Sequence, residues 1–338
     1  MLESIDIIED DIRDRNPEVL DVLLRDHTTQ KNIFWATCDY AHLGDNFQYH
    51  SVIRPELVTG EFGKVIMPRV MKDGNLRQAR ARDMAEVFTP SWICNAQNNL
   101  IDNAWFGREG VFNTEITHST TTPSWIVNRQ PISFPEGKTW RQYVRDMRLE
   151  MACGEAPYIT SRYDSTTGAI IPVEDRIGLL DRKLRVVTEN TETSSQWLKG
   201  AQVAYMTTYA FEWQGDSLLL AREAMLYTFI ENYAHKFKTS PQNKSIKYIA
   251  YIISWNVWQM DGIKGVIPNS CQQRDVTVKT LFGGEETKNI SCPGCADENI
   301  YTHNGVYCLV KDWSGTDPST GKKGRKTRFI DLLKGKQR

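Results

Sequence analysis

Residues 149–158 read LEMACGEAPY, and they decide the predicted fold. A short apolar stretch here ends in an acid, a small residue, a cysteine and a glycine, and glycine lets a backbone turn sharply and approach a ligand closely. We expect one strand of a parallel sheet, followed by a helical region over about 175–206. By itself, a glycine after a strand is weak evidence for a binding site.

Two further stretches extend this pattern along the chain. Residues 209–212 (YAFE) predict a second strand, with a helix following near 217–233. The apolar run over 248–255 is long and rich enough in β-branched residues to predict a buried strand. Because strand, helix, strand, helix, strand is the order of a parallel α/β sheet, the sequence predicts an α/β fold.

The predicted core covers residues 81–268, with additions at both ends. Residues 1–80 mix helical and strand-like pieces and predict an α+β extension, and 106–148 predict an insertion of loops and short β pieces. After about 268 the composition shifts to Gly, Cys, Asn, Thr and Lys. We therefore expect a small Cys-rich module and a basic tail over 269–338.

Composition excludes several classes of protein. The 338 residues are 40% hydrophobic and 25% charged, so the chain is not disordered, and the net charge of −1 excludes a protein that is basic overall. No apolar run is long enough to span a bilayer, and the acidic N-terminus does not resemble a signal peptide. We expect a cytoplasmic protein with no membrane partner.

Positive charge is concentrated in two segments. Residues 69–82 carry five bases against one acid, and residues 319–338 carry eight bases against one acid. A phosphate backbone responds to such local potential. For 69–82 we favour a contact surface over a solvated loop, whereas for the C-terminal segment we favour a frayed basic tail.

The Cys-rich module contains a possible metal site. Cys292-Pro-Gly-Cys295 is a C-x2-C knuckle, Cys271 lies 21 positions before it, and Cys308 lies 13 positions after it. Four thiolates can bind zinc tetrahedrally, and His303 is a possible substitute ligand. The alternative is that these cysteines are buried or incidental. We favour a structural zinc site, because the segment has few large apolar residues to stabilise it.

Polar side chains at the predicted strand ends form a candidate site. Glu212 is placed to bind a ribose diol, and Asn256, Trp258, Gln259 and Asp261 follow the third predicted strand. Aromatic faces stack on bases, and amides read base edges. The alternatives are a solvated acid in a turn and an aromatic corner of the core.

A helix start near residue 90 adds another candidate element. The sequence predicts Thr89 as the N-cap and Pro90 as the first helical residue. Backbone donors at such a helix N-terminus can bind carboxylate or phosphate groups, although a capped helix without a ligand is the simpler interpretation.

In this order, the motifs resemble those of the adenine-N6 amino-methyltransferases of bacterial restriction systems, and more closely of restriction endonuclease subunit M proteins. The resemblance covers about residues 80–265 and implies a Rossmann-like methyltransferase-type sheet and S-adenosylmethionine as the cofactor. Phe88-Thr89-Pro90 matches the family's Phe-Thr-Pro motif, and Ala152-Cys153-Gly154 matches its glycine loop. The residues implied to bind the cofactor are Phe88, Thr89, Pro90, Glu150, Cys153, Gly154 and Glu212.

Two departures from the family pattern concern the chemistry. Its glycine loop continues Gly-Ser-Gly, whereas Gly154 is followed here by Glu155-Ala156-Pro157. The catalytic Asn-Pro-Pro-Tyr is missing, and the matching segment begins with Asn256 and carries Trp258.

Three hypotheses remain open, all with double-stranded DNA as the partner and other restriction or defence subunits as further partners. In the first, a flipped base is methylated, with Asn256 orienting its amino group and Trp258 stacking on it. In the second, a DNA glycosylase excises a base with Asp261 or Glu155 as the catalytic carboxylate. In the third, the chain is a non-catalytic DNA-binding subunit. We rank methyl transfer narrowly first.

Overall fold

The computed structural model describes residues 5–72, 74–84, 89–116, 123–279, 285–321 and 323–333. The helices of these residues are α1 (Glu9–Arg15), α2 (Pro17–Leu24), α3 (Gly74–Met84), α4 (Ser91–Phe106), α5 (Trp140–Arg145), α6 (Leu179–Glu189), α7 (Ser194–Met206), α8 (Gly215–Phe237), α9 (Asn243–Asn256), α10 (Pro293–Ala296) and α11 (Phe329–Leu333). The strands are β1 (Asn113–Ile116), β2 (Ser124–Val127), β3 (Arg148–Met151), β4 (Thr208–Glu212), β5 (Val257–Gln259), β6 (Arg274–Lys279), β7 (Glu285–Ile290), β8 (Leu309–Thr316) and β9 (Lys323–Arg328).

A parallel sheet of three strands lies at the centre of the structure. Its order is β3-β4-β5, so the strands are neighbours in the order in which they occur along the chain. Leu149 is in register with Tyr209, and Glu212 is in register with Gln259. Helices α6 and α7 connect the first pair of strands, and α8 and α9 connect the second pair. The prediction of a mixed α/β fold with a parallel sheet is confirmed.

The strand predicted over residues 248–255 is wrong, because these residues lie in α9. Ile249, Ile252 and Ile253 are buried, whereas Lys244 and Tyr248 are exposed. Buried positions three or four residues apart are typical of one helix face, and the Ile- and Tyr-rich composition hid this period. The third strand is therefore β5, which is shorter and begins only at Val257.

The helical region predicted over 175–206 contains two helices, α6 and α7, which form a shared hydrophobic core with α8 and α9. The described N-terminal residues before α3 contain helices α1 and α2 and five short 3-10 helices, joined by turns and loops. The insertion before β3 consists of the β1–β2 antiparallel hairpin and α5.

The C-terminal residues form two antiparallel hairpins, β6–β7 and β8–β9, and helix α11. Phe329 and Ile330 of α11 pack with Phe211 and Trp258 of the central sheet. This layer therefore covers one face of the sheet over β4 and β5. Among the described residues, no helix combines the length and the hydropathy that crossing a bilayer requires.

Candidate functional site

A group of four side chains in the C-terminal residues can hold a metal ion such as zinc. The ligand atoms of Cys271, Cys292, Cys295 and His303 all lie within 4.8 Å of one another. The Nδ1 atom of His303 is 3.6, 3.5 and 3.6 Å from the three sulfur atoms. Tetrahedral zinc, with bonds of ~2.3 Å to sulfur and ~2.05 Å to nitrogen, requires a separation of about 3.6 Å. The four side chains thus have the spacing of a Cys3His zinc site.

Local backbone geometry brings these ligands together. Helix α10 starts directly after Cys292, whose carbonyl accepts hydrogen bonds from the N–H groups of Cys295 and Ala296. A Cβ at Gly294 would lie 2.6 Å from the backbone and ring atoms of His303. Only glycine at this position therefore lets the imidazole approach the knuckle.

The prediction of Cys308 as the fourth ligand is wrong. This residue is fully buried, and its thiol donates to the carbonyl of Gln259 at 3.4 Å. Its side chain belongs to the apolar layer between the central sheet and α11, so it cannot turn toward the knuckle. His303 takes the fourth position, which spacing alone had left open.

Most of the residues implied to bind the cofactor lie together at the carboxyl end of β3. The hydroxyl of Ser165 donates to the carbonyl of Thr89 at 2.7 Å, and this bond holds the start of α4 at the loop that follows β3. Helix α4 begins at Ser91, with Pro90 instead of Thr89 in the capping position. Phe88 lies outside the described residues.

Glu212 uses both carboxylate oxygens for backbone hydrogen bonds. Oε2 accepts from the N–H of Gly154 at 2.7 Å, and Oε1 accepts from the N–H groups of Trp213 at 2.8 Å and Gln214 at 3.2 Å. Burial raises the pKa of this carboxyl group even though the amides favour its charged form. The oxygens expected to bind ribose thus already hold the glycine loop.

One carboxyl oxygen of Glu150 makes no hydrogen bond within the described residues. Its Oε2 is buried and has no hydrogen-bond partner among the described residues. Burial raises the pKa of Glu150 well above its ordinary value, an effect that the N–H of Tyr158 partly offsets. Burial, with Glu150 nearby, also raises the pKa of Cys94 to about 12 and raises the pKa of Cys153 well above its ordinary value. Glu150 is therefore the carboxyl group at this edge with a free acceptor.

Glu155 is a structural residue in this arrangement. Its Oε1 accepts from the N–H of Arg69 at 2.7 Å, and its Oε2 accepts from the hydroxyl of Tyr163 at 2.7 Å. The side chain is buried. These two bonds hold the segment before α3 against the loop that follows β3.

The sequence predicts that Asn256 lies at the carboxyl end of the sheet, and this prediction is wrong. It is the last residue of α9 and precedes β5, so it lies at the opposite end of the strands from Glu212. It is fully buried, its amide donates to the carbonyls of Tyr205 and Thr208, and its oxygen accepts from the indole of Trp313. These bonds leave no free group to orient a base.

The three other candidate catalytic residues near β5 are also enclosed. The ring of Trp258 packs against Phe329 with centroids 5.3 Å apart. The amide of Gln259 donates to the carbonyls of Phe34 and Trp213. Asp261 accepts from the two N–H groups of the turn that follows it. All three residues are at most 4% exposed, so none of them can contact a base without rearrangement.

The basic segment 69–82 divides into buried and exposed parts. Arg80 is buried and its guanidinium lies 2.9 Å from Asp216, and Lys72 lies 3.7 Å from the same carboxylate. Burial alone would raise the pKa of Asp216, but these two cations lower it to about 2. Arg69 and Arg77 line an open groove of about 470 Å³ beside the loop after β3. Two of the five bases therefore anchor the segment to the fold.

The expectation of a frayed basic tail is wrong for residues 323–333, which form β9 and α11. Lys323, Arg325, Lys326 and Arg328 are exposed along β9. This short strand has four bases and no apolar residue, so the sequence carries no apolar period here and only the pairing with β8 identifies it as a strand.

An aromatic enclosure fastens the β8–β9 hairpin to α9. The Nζ of Lys311 lies 4.8, 5.1 and 4.9 Å from the ring centroids of Tyr251, Trp255 and Trp313, and it donates to the hydroxyl of Tyr251 at 2.6 Å. A cation that is desolvated among aromatic faces is held strongly. These residues were not identified from the sequence, because they lie far apart along it.

Comparison of the chain with protein-family models, with curated proteins and with solved structures finds no match.

Proposed function

We propose that this protein binds double-stranded DNA and that the β8–β9 hairpin is the contact surface. The proposal rests on β9, where Lys323, Arg325, Lys326 and Arg328 are exposed on a strand of six residues without an acid. The major groove of B-DNA admits a two-stranded β-ribbon, and cations on such a ribbon displace the counterions of the phosphates.

Two sets of contacts support the hairpin as a rigid element. Lys311 of β8 is enclosed by aromatic rings of α9 and of β8 itself. The guanidinium of Arg328 lies 5.2 Å from the ring centroid of Tyr307, whose hydroxyl oxygen accepts a hydrogen bond from the backbone N–H of His303 in the candidate metal site. Because the ribbon is ordered before binding, DNA binding costs less conformational entropy.

The three-stranded sheet and its helices fit the third hypothesis, in which the chain is a DNA-binding subunit of a restriction or defence system. Three parallel strands in chain order, joined by helices, are what one half of a Rossmann-like sheet contains, and the resemblance to restriction methyltransferases supplies the context. Methyl transfer through Asn256 and base excision through Asp261 or Glu155 receive less support, because these groups are buried and hydrogen-bonded. DNA binding is therefore the function that these residues support best.

The test is the affinity for a fluorescent duplex, measured by anisotropy. Replacing Lys323, Arg325, Lys326 and Arg328 by Gln is expected to weaken binding at least tenfold. The matched control replaces the exposed Lys64, Lys199, Lys238 and Lys244 by Gln, which changes the net charge equally. Equal losses in the two variants, or none in either, would contradict the proposal.

S-adenosylmethionine-dependent methyl transfer remains a second candidate because of Glu150. Its Oε2 is a buried acceptor without a hydrogen-bond partner among the described residues, at the edge where the family motif places the methionine end of the cofactor. An ammonium group of the ligand would satisfy it. Glu212 fits less well, since its oxygens already accept three N–H groups.

Titration calorimetry with S-adenosylmethionine tests this second candidate. Binding is expected to be lost in Glu150→Gln and kept in Glu192→Gln, an exposed control. Radiolabelled methyl transfer to duplex DNA then separates a catalytic role from cofactor binding alone. If the unaltered protein binds no S-adenosylmethionine, the methyltransferase hypothesis fails while the DNA-binding proposal stands.

A further inference from the structure

The open groove of about 470 Å³ beside the loop after β3 has no part in the two functions considered above. One of its sides is a face of α3, formed by Gly74, Arg77, Gln78 and Ala81. These residues lie three or four positions apart, apart from the adjacent pair in the middle, so they share one side of the helix. The small residues at both ends leave the two long polar side chains to shape the middle of the groove.

Arg69 lines the groove as well and connects its sides. Its backbone N–H donates to Glu155 at 2.7 Å, and its Nη2 donates to the backbone carbonyl of Arg77 at 3.3 Å. The first bond holds the segment before α3 to the loop after β3, which contributes Ser165 and Thr166 to the groove. The groove is therefore formed before a ligand binds, which lowers the entropy cost of binding.

The groove carries positive charge. Arg69 and Arg77 line it, and none of the described residues that line it is acidic. Asp164 precedes one lining segment in the chain, but its carboxylate accepts hydrogen bonds from the N–H groups of Ser91 at 3.1 Å and Thr166 at 3.0 Å. Because a concave surface with charge of one sign concentrates the electrostatic potential, the groove attracts an anion.

The guanidinium of Arg77 is available to that anion. Arg77 is half-buried, and its side chain makes no hydrogen bond or ion pair within the described part of the chain. Lys72 and Arg80 of the same basic segment differ, because both are buried and paired with Asp216. The amide of the exposed Gln78 is a further donor at the same place. A guanidinium presents donors in a fixed fork that matches the oxygens of a phosphate group.

We propose that this groove binds a phosphate group through Arg77 and Arg69, with Gln78 as an additional donor. A phosphate has enough oxygens for two guanidinium groups and an amide, whereas a carboxylate has only two. The phosphate belongs either to the backbone of duplex DNA or to a small phosphate-bearing molecule. In the first case the groove is a second DNA contact, and this case rests on the DNA-binding function proposed above.

The first experiment measures duplex affinity and its salt dependence by anisotropy for Arg77→Gln. An exposed ion pair contributes little, so we expect binding about two- to fivefold weaker. The slope of log K against log salt concentration should be shallower by about 0.9, the change for one phosphate contact. Lys244→Gln is the matched control, because Lys244 is exposed and the charge change is the same. The melting temperature of Arg77→Gln should equal that of the unaltered protein, since the side chain has no partner to lose.

The second experiment titrates inorganic phosphate and a nucleoside monophosphate into the unaltered protein, Arg77→Gln and Lys244→Gln, with calorimetry as the readout. Binding that is lost only in Arg77→Gln supports a small phosphate-bearing ligand. A loss of duplex affinity and salt slope only in Arg77→Gln supports a backbone phosphate.

The groove proposal is overturned if Arg77→Gln matches Lys244→Gln in both experiments. In that case the proposed role of β9 still stands if its own variant loses duplex affinity. If the unaltered protein binds no duplex, the DNA-binding proposal fails and the phosphate titration alone decides the role of the groove.

Discussion

The backbone N–H of His303 donates a hydrogen bond to the phenol oxygen of Tyr307 at 2.8 Å. Tyr307 also contacts β9, because the guanidinium of Arg328 lies over its ring. His303 of the candidate metal site and the basic strand β9 are thus connected through Tyr307. Loss of the metal is therefore expected to affect the DNA-binding surface that we propose.

The ligand set predicts which cysteines hold the metal. We expect one zinc ion per purified chain by elemental analysis, its loss in Cys292→Ser and His303→Ala, and its retention in Cys308→Ser. Chelation should lower both the melting temperature and the DNA affinity, because binding energy at a structural zinc site is folding energy. Full zinc content in His303→Ala would contradict the assigned ligand set.

Asn256 is expected to determine stability instead of catalysis. Asn256→Ala would leave the carbonyls of Tyr205 and Thr208 and the indole N–H of Trp313 without their partner. Each unsatisfied buried group costs about 1–3 kcal/mol, so we expect a loss of about 3 kcal/mol or more in urea unfolding. Wild-type stability combined with abolished activity would instead indicate a catalytic role.

Gly324 is expected to be required for the position of the hairpin. Its φ is +97°, and a Cβ there would lie 2.7 Å from the Cε of Lys311. Gly324→Ala should cost about 1–3 kcal/mol of stability from backbone strain alone and should weaken DNA binding by displacing Lys311. Gly321→Ala, at φ +66° with no atom within 4 Å, is the control for strain without a clash. Equal DNA affinity in the two variants would show that Lys311 is not needed.

Stability should fall as the pH rises, in part because of Glu9. Burial, with Asp6 and Asp10 nearby, raises the pKa of Glu9 from 4.5 to about 9. Between these values the folded state keeps a proton that the unfolded chain releases, so each increase in pH favours unfolding. Glu9→Gln should therefore gain stability over the parent as the pH approaches about 9 and little near pH 4.5. A difference independent of pH in urea unfolding would contradict this assignment.

The sequence predicted the parallel sheet because glycine and acidic residues mark the ends of β3 and β4. It failed at α9, where Ile and Tyr side chains fit both a strand and a buried helix face. This error moved Asn256 to the wrong end of the sheet. Local composition could not correct it, because burial depends on the helices that pack against α9.

The sequence predicted only part of the candidate metal-ligand set, because the fourth ligand depends on how the chain folds. The knuckle of Cys292 and Cys295 is a local motif, whereas the choice between Cys308 and His303 depends on the course of the loop between them. Cys308 packs in the apolar layer between the central sheet and α11. Only the folded structure shows this packing. The bonds of Glu155 to Arg69 and Tyr163 likewise join distant segments.

The salt dependence of DNA binding tests the central claim most directly. The slope of log K against log salt concentration changes by about 0.9 for each phosphate contact, so the variant with Gln at Lys323, Arg325, Lys326 and Arg328 should have a slope shallower by up to about 3.6. The four-lysine control should keep the slope of the unaltered protein. Identical slopes for the β9 variant and the unaltered protein would contradict binding through β9.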